Sequence, residues 1–208
     1  MTTINISEIA EFISGIAFGK VKQLNVPLSV AHTETVTKLI RPQDLPKSGL
    51  LNAEHLHTIP TVELNGEQHN QIQSHHLIRS NDILVVSKGS SFRSAIVKEL
   101  ETDVRFVINN NLIVIRPNEV PADFLSLMLN TRWFYENYIA PHQKDQLSVS
   151  IKQLKETQLV EPNLEQKLHF EEVLETYHNE LDALDKLQLA AKAHVDSYLL
   201  EAIFENNG

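Results

Sequence analysis

The chain contains no cysteine. That excludes a disulfide framework, thiolate catalysis and zinc sites built on cysteine, and it agrees with a reducing compartment. Glycine is scarce, six in 208 residues, so there is little from which to build a backbone cradle for phosphate. Neither a P-loop, nor Gly-x-Gly-x-x-Gly, nor Gly-x-Ser-x-Gly occurs. No apolar run approaches the ~20 residues that a membrane-spanning helix needs. Residues 1–18 lack a basic start and are interrupted by Glu8 and Glu11, which is unlike a signal peptide. The expectation is a soluble, cytoplasmic protein with no membrane partner.

What is present is ordinary in amount and unusual in placement. At 42% hydrophobic and 22% charged residues, the chain has enough apolar material for one core, with room for an appendage. The net charge of −9 argues at first against nucleic acid, yet it is unevenly spread. From position 164 onward Lys167, Lys186 and Lys192 stand against ten acidic residues, a balance of −7. Residues 1–163 therefore carry only −2 and are free to present a local basic face, while the acidic C-terminal stretch suits a protein partner.

That stretch, 164–204, has no glycine and no proline, and its apolar residues recur at helical spacing. A heptad frame puts Leu174, Leu181, Val195 and Ala202 on one seam and Tyr177, Leu184, Ala191 and Tyr198 on the other. Gln188 is a polar seam residue able to fix register. At ~1.5 Å per residue the helix is roughly 60 Å long, more than a domain of this size, about 30–40 Å across, can cover. A second helix, from another copy or another protein, is one way to cover the stripe. Folding back on its own domain is the other.

Before the helix, residues 4–18 fit helix or strand and are broken at Ser14-Gly15. Residues 36–40 read as a strand ended by Arg41-Pro42, 50–57 as a short element, and 61–64 as a strand with a hairpin-type turn at Asn65-Gly66. Residues 68–76 read as a polar loop. Residues 83–86 form a strand apolar on both faces, 94–100 a further strand. Residues 105–108 and 112–115 flank Asn109-Asn110-Asn111 and fit either a hairpin or one bulged strand. From 121 to 138 the period turns helical. Ser150-x-x-Gln153 is a capping box opening a short helix, and Pro162 separates domain from rod. The fold class expected is α+β: a mixed α/β globular domain, residues 1–163, followed by a long coiled-coil-forming helix, 164–208.

The ten histidines do not make a metal site on paper. His55-x-His57 and His75-His76 lack the i, i+4 spacing and the partnering carboxylates of a metalloenzyme. Asp82, Asp103 and Asp123 are isolated, and no acid–base pair emerges, so an enzyme is not indicated. Two loops carry the chemistry of DNA contact. Lys88, Ser90, Ser91 and Arg93 occupy the first; His142, Gln143, Lys144, Gln146 and Ser148 lie in the second. Lysine and arginine pair with phosphate or guanine, serine with either, and glutamine with adenine in two-point fashion. Lys20 and Lys22 add candidate phosphate contacts. Taken singly and on composition alone, each loop reads first as a solvated turn.

The order of several stretches resembles the specificity subunit of type I restriction–modification systems. They are Ile9-Ala10-Glu11-Phe12-Ile13-Ser14-Gly15 with Phe18; Leu39-Ile40-Arg41-Pro42-Gln43-Asp44-Leu45; Asn81-Asp82-Ile83-Leu84-Val85-Val86 with Gly89; residues 109–117; the helix through Phe124, Leu125 and Leu129; and Leu159-Val160-Glu161-Pro162-Asn163-Leu164 leading into the long helix. The resemblance runs over nearly the whole chain and resides in order and spacing rather than in any one motif. Asn81 departs from it, standing where the family usually has glycine, and only one of the family's two tandem units is present. The resemblance implies a half-length, non-catalytic specificity factor whose target recognition domain reads double-stranded DNA. Its long helix would pair as a homodimer through Leu174, Tyr177, Leu181, Leu184, Gln188, Ala191, Val195 and Tyr198. The same helix would dock an adenine methyltransferase subunit and, with it, a restriction/translocase subunit. No cofactor belongs to this chain; S-adenosylmethionine is expected on the methyltransferase. The competing reading is a regulator or decoy that binds a methyltransferase or another partner through the helix without reading sequence.

Overall fold

The computed structural model describes residues 3–24, 36–100, 104–143, 146–160 and 163–205. Lys144 lies outside the described residues, as do the side chains of His142, Leu174 and Ala202. In chain order the elements are β1 (Thr3–Asn5), α1 (Ile6–Ile9), β2 (Ala10–Ser14), β3 (Lys22–Leu24), β4 (Val36–Ile40), β5 (Leu50–Leu51), α2 (Ala53–Thr58), β6 (Thr61–Glu63) and α3 (Gly66–Gln71). There follow β7 (Ile83–Val86), β8 (Lys88–Gly89), β9 (Ser94–Val97), β10 (Val104–Ile108), β11 (Leu112–Pro117), α4 (Ala122–Asn130) and α5 (Arg132–Phe134). The last are β12 (Leu147–Ser148), α6 (Ile151–Lys155), β13 (Gln158–Val160) and α7 (Leu164–Glu205). The α+β reading stands.

Two sheets hold the domain. The larger runs β2-β11-β7-β9-β5, the smaller β10-β4-β6-β3. The run Leu112-Ile113-Val114-Ile115 in β11 is buried throughout because it pairs on both edges, with β2 and with β7. Strands apolar on both faces belong in such central positions. In the smaller sheet the alternation is visible. Ile40, Phe106 and Ile108 join the main core, while Leu39 and Val107 point to a second cluster with Val62. Lys38 is 2% exposed on the core side. Its ammonium donates to the Leu56 and His57 carbonyls at 3.0 and 2.9 Å, near the C-terminal end of α2, where a cation meets the negative end of the helix dipole.

Four local expectations are corrected. First, Asn109–Asn111 joins neither a hairpin nor a bulged strand: β10 lies in one sheet and β11 in the other, so the three asparagines carry the chain across. The Asn109 side chain accepts from the Asn111 amide at 3.2 Å, and Leu112 N donates to the Asn109 carbonyl at 3.0 Å. Second, Asn65-Gly66 is a helix start rather than a hairpin turn. Asn65 Oδ1 accepts from Gln68 N and Gln68 Oε1 from Asn65 N, both at 2.9 Å, a reciprocal cap that outcompetes the turn. Third, residues 68–76 are accordingly α3 and a 3₁₀ turn, Ser74–His76, instead of loop. Fourth, the helix expected over 121–138 stops at Asn130 and restarts on Thr131, whose hydroxyl caps Phe134 N at 3.1 Å.

The long helix runs unbroken for 42 residues and over part of its length folds back on its own domain. It packs against α4 and β5, and Lys186 reaches Glu54 on α2 at 3.7 Å. Among the described side chains of the helix, Leu181 and Asp185, one turn apart, are the half-buried ones. The seam residues Tyr177, Leu184, Val195 and Tyr198 are 41–68% exposed, as are Leu187 and Leu189 off the seam. Among the described residues no helix is long and apolar enough to cross a membrane.

Candidate nucleic-acid interface

The two loops singled out by their chemistry are joined. After β7 the chain continues directly into β8, which pairs antiparallel with β12 in the register Ser148↔Lys88 and Leu147↔Gly89. Val149 N extends the ladder to the Ser87 carbonyl at 2.8 Å, and Ser87 N is held by the Asn111 carbonyl at 2.8 Å. Leu147 and Val149 are buried at 2% and 7%, while Gln146 and Ser148 are exposed. Period-two alternation thus anchors the second loop by its apolar residues and turns the polar ones outward. Lys88, Ser90 and Ser91 are likewise exposed. Phe92 folds inward, its ring 5.8 Å from that of the buried Phe134, and Val86 N closes the base of the loop on the Arg93 carbonyl at 3.0 Å.

Beside this ribbon lies an open groove of about 310 Å³. It forms where the chain leaves the C-terminal ends of β4, β7 and β10. Its lining includes Arg41, Lys88 and Arg93 together with the amides of Asn109 and Asn111, and among the described residues no carboxylate. Three cations beside neutral donors and acceptors make a seat for an anion or a base edge. Arg41 is set by its own backbone, whose N–H donates to Asp44 Oδ2 at 2.8 Å. Burial pushes the Asp44 carboxyl above the ordinary aspartate range, against the lowering effect of that hydrogen bond and of the Arg41 charge. Arg93 is half-buried and donates through Nη1 to the Leu45 carbonyl at 3.4 Å, so it walls the groove more than it projects from it.

Lys20 and Lys22 stand apart. Lys22 lies on β3, an edge of the smaller sheet, paired with Glu63 at 3.1 Å across the β3–β6 ladder; the Lys20 carbonyl accepts from Gln68 Nε2 at 3.5 Å. Arg41, Asn109 and Asn111, passed over in the sequence, join the groove instead. Each sits just beyond a strand or between two, and this position was the one signal available.

Two of the histidines, His55 and His76, serve local structure. His55 Nδ1 contacts the capping Asn52 Oδ1 at 2.6 Å. His76 Nδ1 accepts from Gln73 N at 3.1 Å, and burial, aided by neighbouring His75, lowers its pKa from 6.5. Among the described residues no three His, Asp or Glu side chains converge as a metal site. Of the isolated aspartates, Asp103 lies outside the described residues, and Asp82 and Asp123 are partnered. Asp82, 1% exposed, takes a two-point ion pair from Arg116 at 2.8 and 2.8 Å, and Lys98 donates to Asp123 at 2.6 Å.

No family model matches the sequence, and no curated protein matches it. Solved structures do. Over 90% of this chain the fold superposes on the HsdS subunit from Thermoanaerobacter tengcongensis with a TM-score of 0.55 at 15% identity. Over 95% it superposes on a chain from a type I R-M system, solved for its complex assembly and conformational transition, with a TM-score of 0.56 at 14% identity. Over 84% it superposes on the type IIG restriction endonuclease BpuSI with a TM-score of 0.59 at 9% identity. The match spans 39%, 43% and 26% of those chains. The polypeptide therefore has, over about two fifths of such a chain's length, the fold of a type I restriction–modification specificity subunit.

Proposed function

We propose that this chain is a DNA-sequence specificity factor of the type I restriction–modification kind, with no catalytic centre of its own. The observation that carries the reading is the β8–β12 pairing. It fuses two loops sixty positions apart, each chosen for DNA-contact chemistry alone, into one ribbon beside a groove whose lining, among the described residues, holds three cations and no carboxylate. The ribbon meets base edges in the major groove through Ser148, Gln146 and Gln143, while Lys88 and Arg41 meet phosphates. The acidic α7 pairs with a second copy through Tyr177, Leu184, Gln188, Ala191, Val195 and Tyr198, and docks a methyltransferase subunit. That subunit holds S-adenosylmethionine and methylates adenine, as the family resemblance implies. Two copies related by a two-fold axis read a target of two-fold symmetry.

The test is fluorescence anisotropy on a random-sequence duplex over a range of salt. Replacing Lys88 and Arg41 with alanine should weaken binding for all sequences and lower the slope of log K against log salt by about 1 for each phosphate no longer neutralised. A slope identical to that of the unaltered protein would remove both residues from the interface.

A second reading, a regulator that occupies a methyltransferase without reading DNA, draws support from α7. Leu184, Leu187, Leu189, Val195 and Tyr198 are 55–68% exposed on an acidic helix. Absence of DNA binding at low salt, with methyltransferase capture intact, would select it.

A further inference from the structure

The segment behind the ribbon holds a device for aiming one of its readers. Helix α5 widens at Tyr135 into a single π turn, Tyr135–Ile139, a local insertion that shifts side chains around the axis and is frequent at functional sites. The turn is fixed from within. Phe134 and Ile139 are buried at 0% and 2%, Phe134 stacks with Tyr138 at 5.4 Å, and Tyr138 Oη donates to the Gln158 carbonyl at 2.8 Å. Tyr135 is turned outward, 37% exposed, and its hydroxyl donates to Gln143 Oε1 at 3.0 Å.

We propose that Tyr135 is a specificity-positioning residue that fixes the polarity of the Gln143 amide so that the protein prefers adenine over guanine at one position of its target. This rests on the reading of the 142–148 loop as a DNA reader. The two ends of a glutamine amide are close in shape and opposite in hydrogen bonding, so a free rotor presents either end. A donor on Oε1 fixes which end is which. The oxygen keeps one lone pair for an incoming N–H, and Nε2 keeps both of its hydrogens. Adenine offers the complement in the major groove, N7 as acceptor and the N6 amine as donor, whereas guanine offers N7 and O6, two acceptors. The held oxygen would then face O6 of guanine, acceptor against acceptor.

The experiment selects duplexes from a randomised library with the full chain and its variants, alongside melting temperature and salt slope. The unaltered protein should enrich adenine at one position per half-site. Gln143→Ala should lose that preference by about tenfold or more, the discrimination of one two-point pair. Tyr135→Phe should weaken it about three- to tenfold, with the other positions, the salt slope and the melting temperature unchanged. The double variant should match Gln143→Ala alone, since the two residues act as one unit. Gln143→Glu, which presents only acceptors to the base, should move the preference at that position from adenine to cytosine. Tyr135→Phe with every preference intact, or with all sequences weakened alike, would overturn the assignment. An unaltered protein that enriches no sequence would instead overturn the DNA reading on which it stands.

Discussion

The buried ion pair between Arg116 and Asp82 shows how a single residue sets stability in this domain. Asp82 also accepts from Arg79 N at 2.8 Å and follows Asn81, the described non-glycine residue with a positive φ, +68°. Asparagine tolerates that region, so the turn forms there without a glycine. The Asp82 bond raises the Arg116 pKa, opposed by burial. Removing the guanidinium strands a carboxylate that is 1% exposed. Arg116→Met should therefore destabilise the fold by about 3–5 kcal/mol, measured by urea unfolding. A loss within experimental error would mean that the pair contributes nothing beyond packing. His76 gives a pH signature. Its folded pKa is depressed below 6.5, by burial first and by the neighbouring His75 second. A depressed histidine contributes stability that is complete above pH 6.5 and declines as pH falls through the folded pKa, since the unfolded chain binds the proton more readily. His76→Gln should flatten the decline in melting temperature between pH 7 and 5. An equal decline in both proteins would assign the acid sensitivity elsewhere.

Among the elements, α7 is the one whose sequence signal and surroundings disagree in an informative way. The heptad frame treats Leu181 and Leu184 as equivalent seam residues. In the fold Leu181 is half-buried and Leu184 is 60% exposed, so a charge at Leu181 would test the domain contact together with any dimer. Leu184→Asp separates the two. It should abolish self-association in sedimentation equilibrium while leaving the melting temperature within about 2–4 °C, the shift of a sub-kcal/mol surface change. A variant that still associates would exclude the exposed seam as the pairing surface. The strands show a second limit. Residues 105–108 and 112–115 were legible as strands from their β-branched runs, yet their partners were not. A three-residue link between strands is normally a hairpin. Here Asn109 instead carries the chain between sheets, in a close approach where a Cβ on Gly15 would overlap the Asn109 carbonyl. That glycine is fixed by a contact ninety-four positions away, which no local window contains.

At the scale of the whole molecule, charge is sorted by element. The acidic surplus lies on α7 and the cations of the groove lie on the globular domain, so the total of −9 misleads while its distribution does not. The salt slope and the Leu184→Asp association test probe the two ends of that division independently. The long helix, the strand segments and the Ser150–Gln153 cap were already fixed by the amino-acid order, because periodicity, the absence of Gly and Pro, and capping chemistry act within a few residues of one another. The cap is found as read, with Ser150 N donating to Gln153 Oε1 at 2.8 Å. The α+β class followed from the same local signals. Which loops meet was decided by tertiary contacts: the pairing of Lys88 with Ser148, the gathering of Arg41, Asn109 and Asn111 into one groove, and the reach of Tyr135 to Gln143. The reason is physical. A polar loop has no period to read, and its final position is set by strands and buried side chains that lie tens of residues away in sequence.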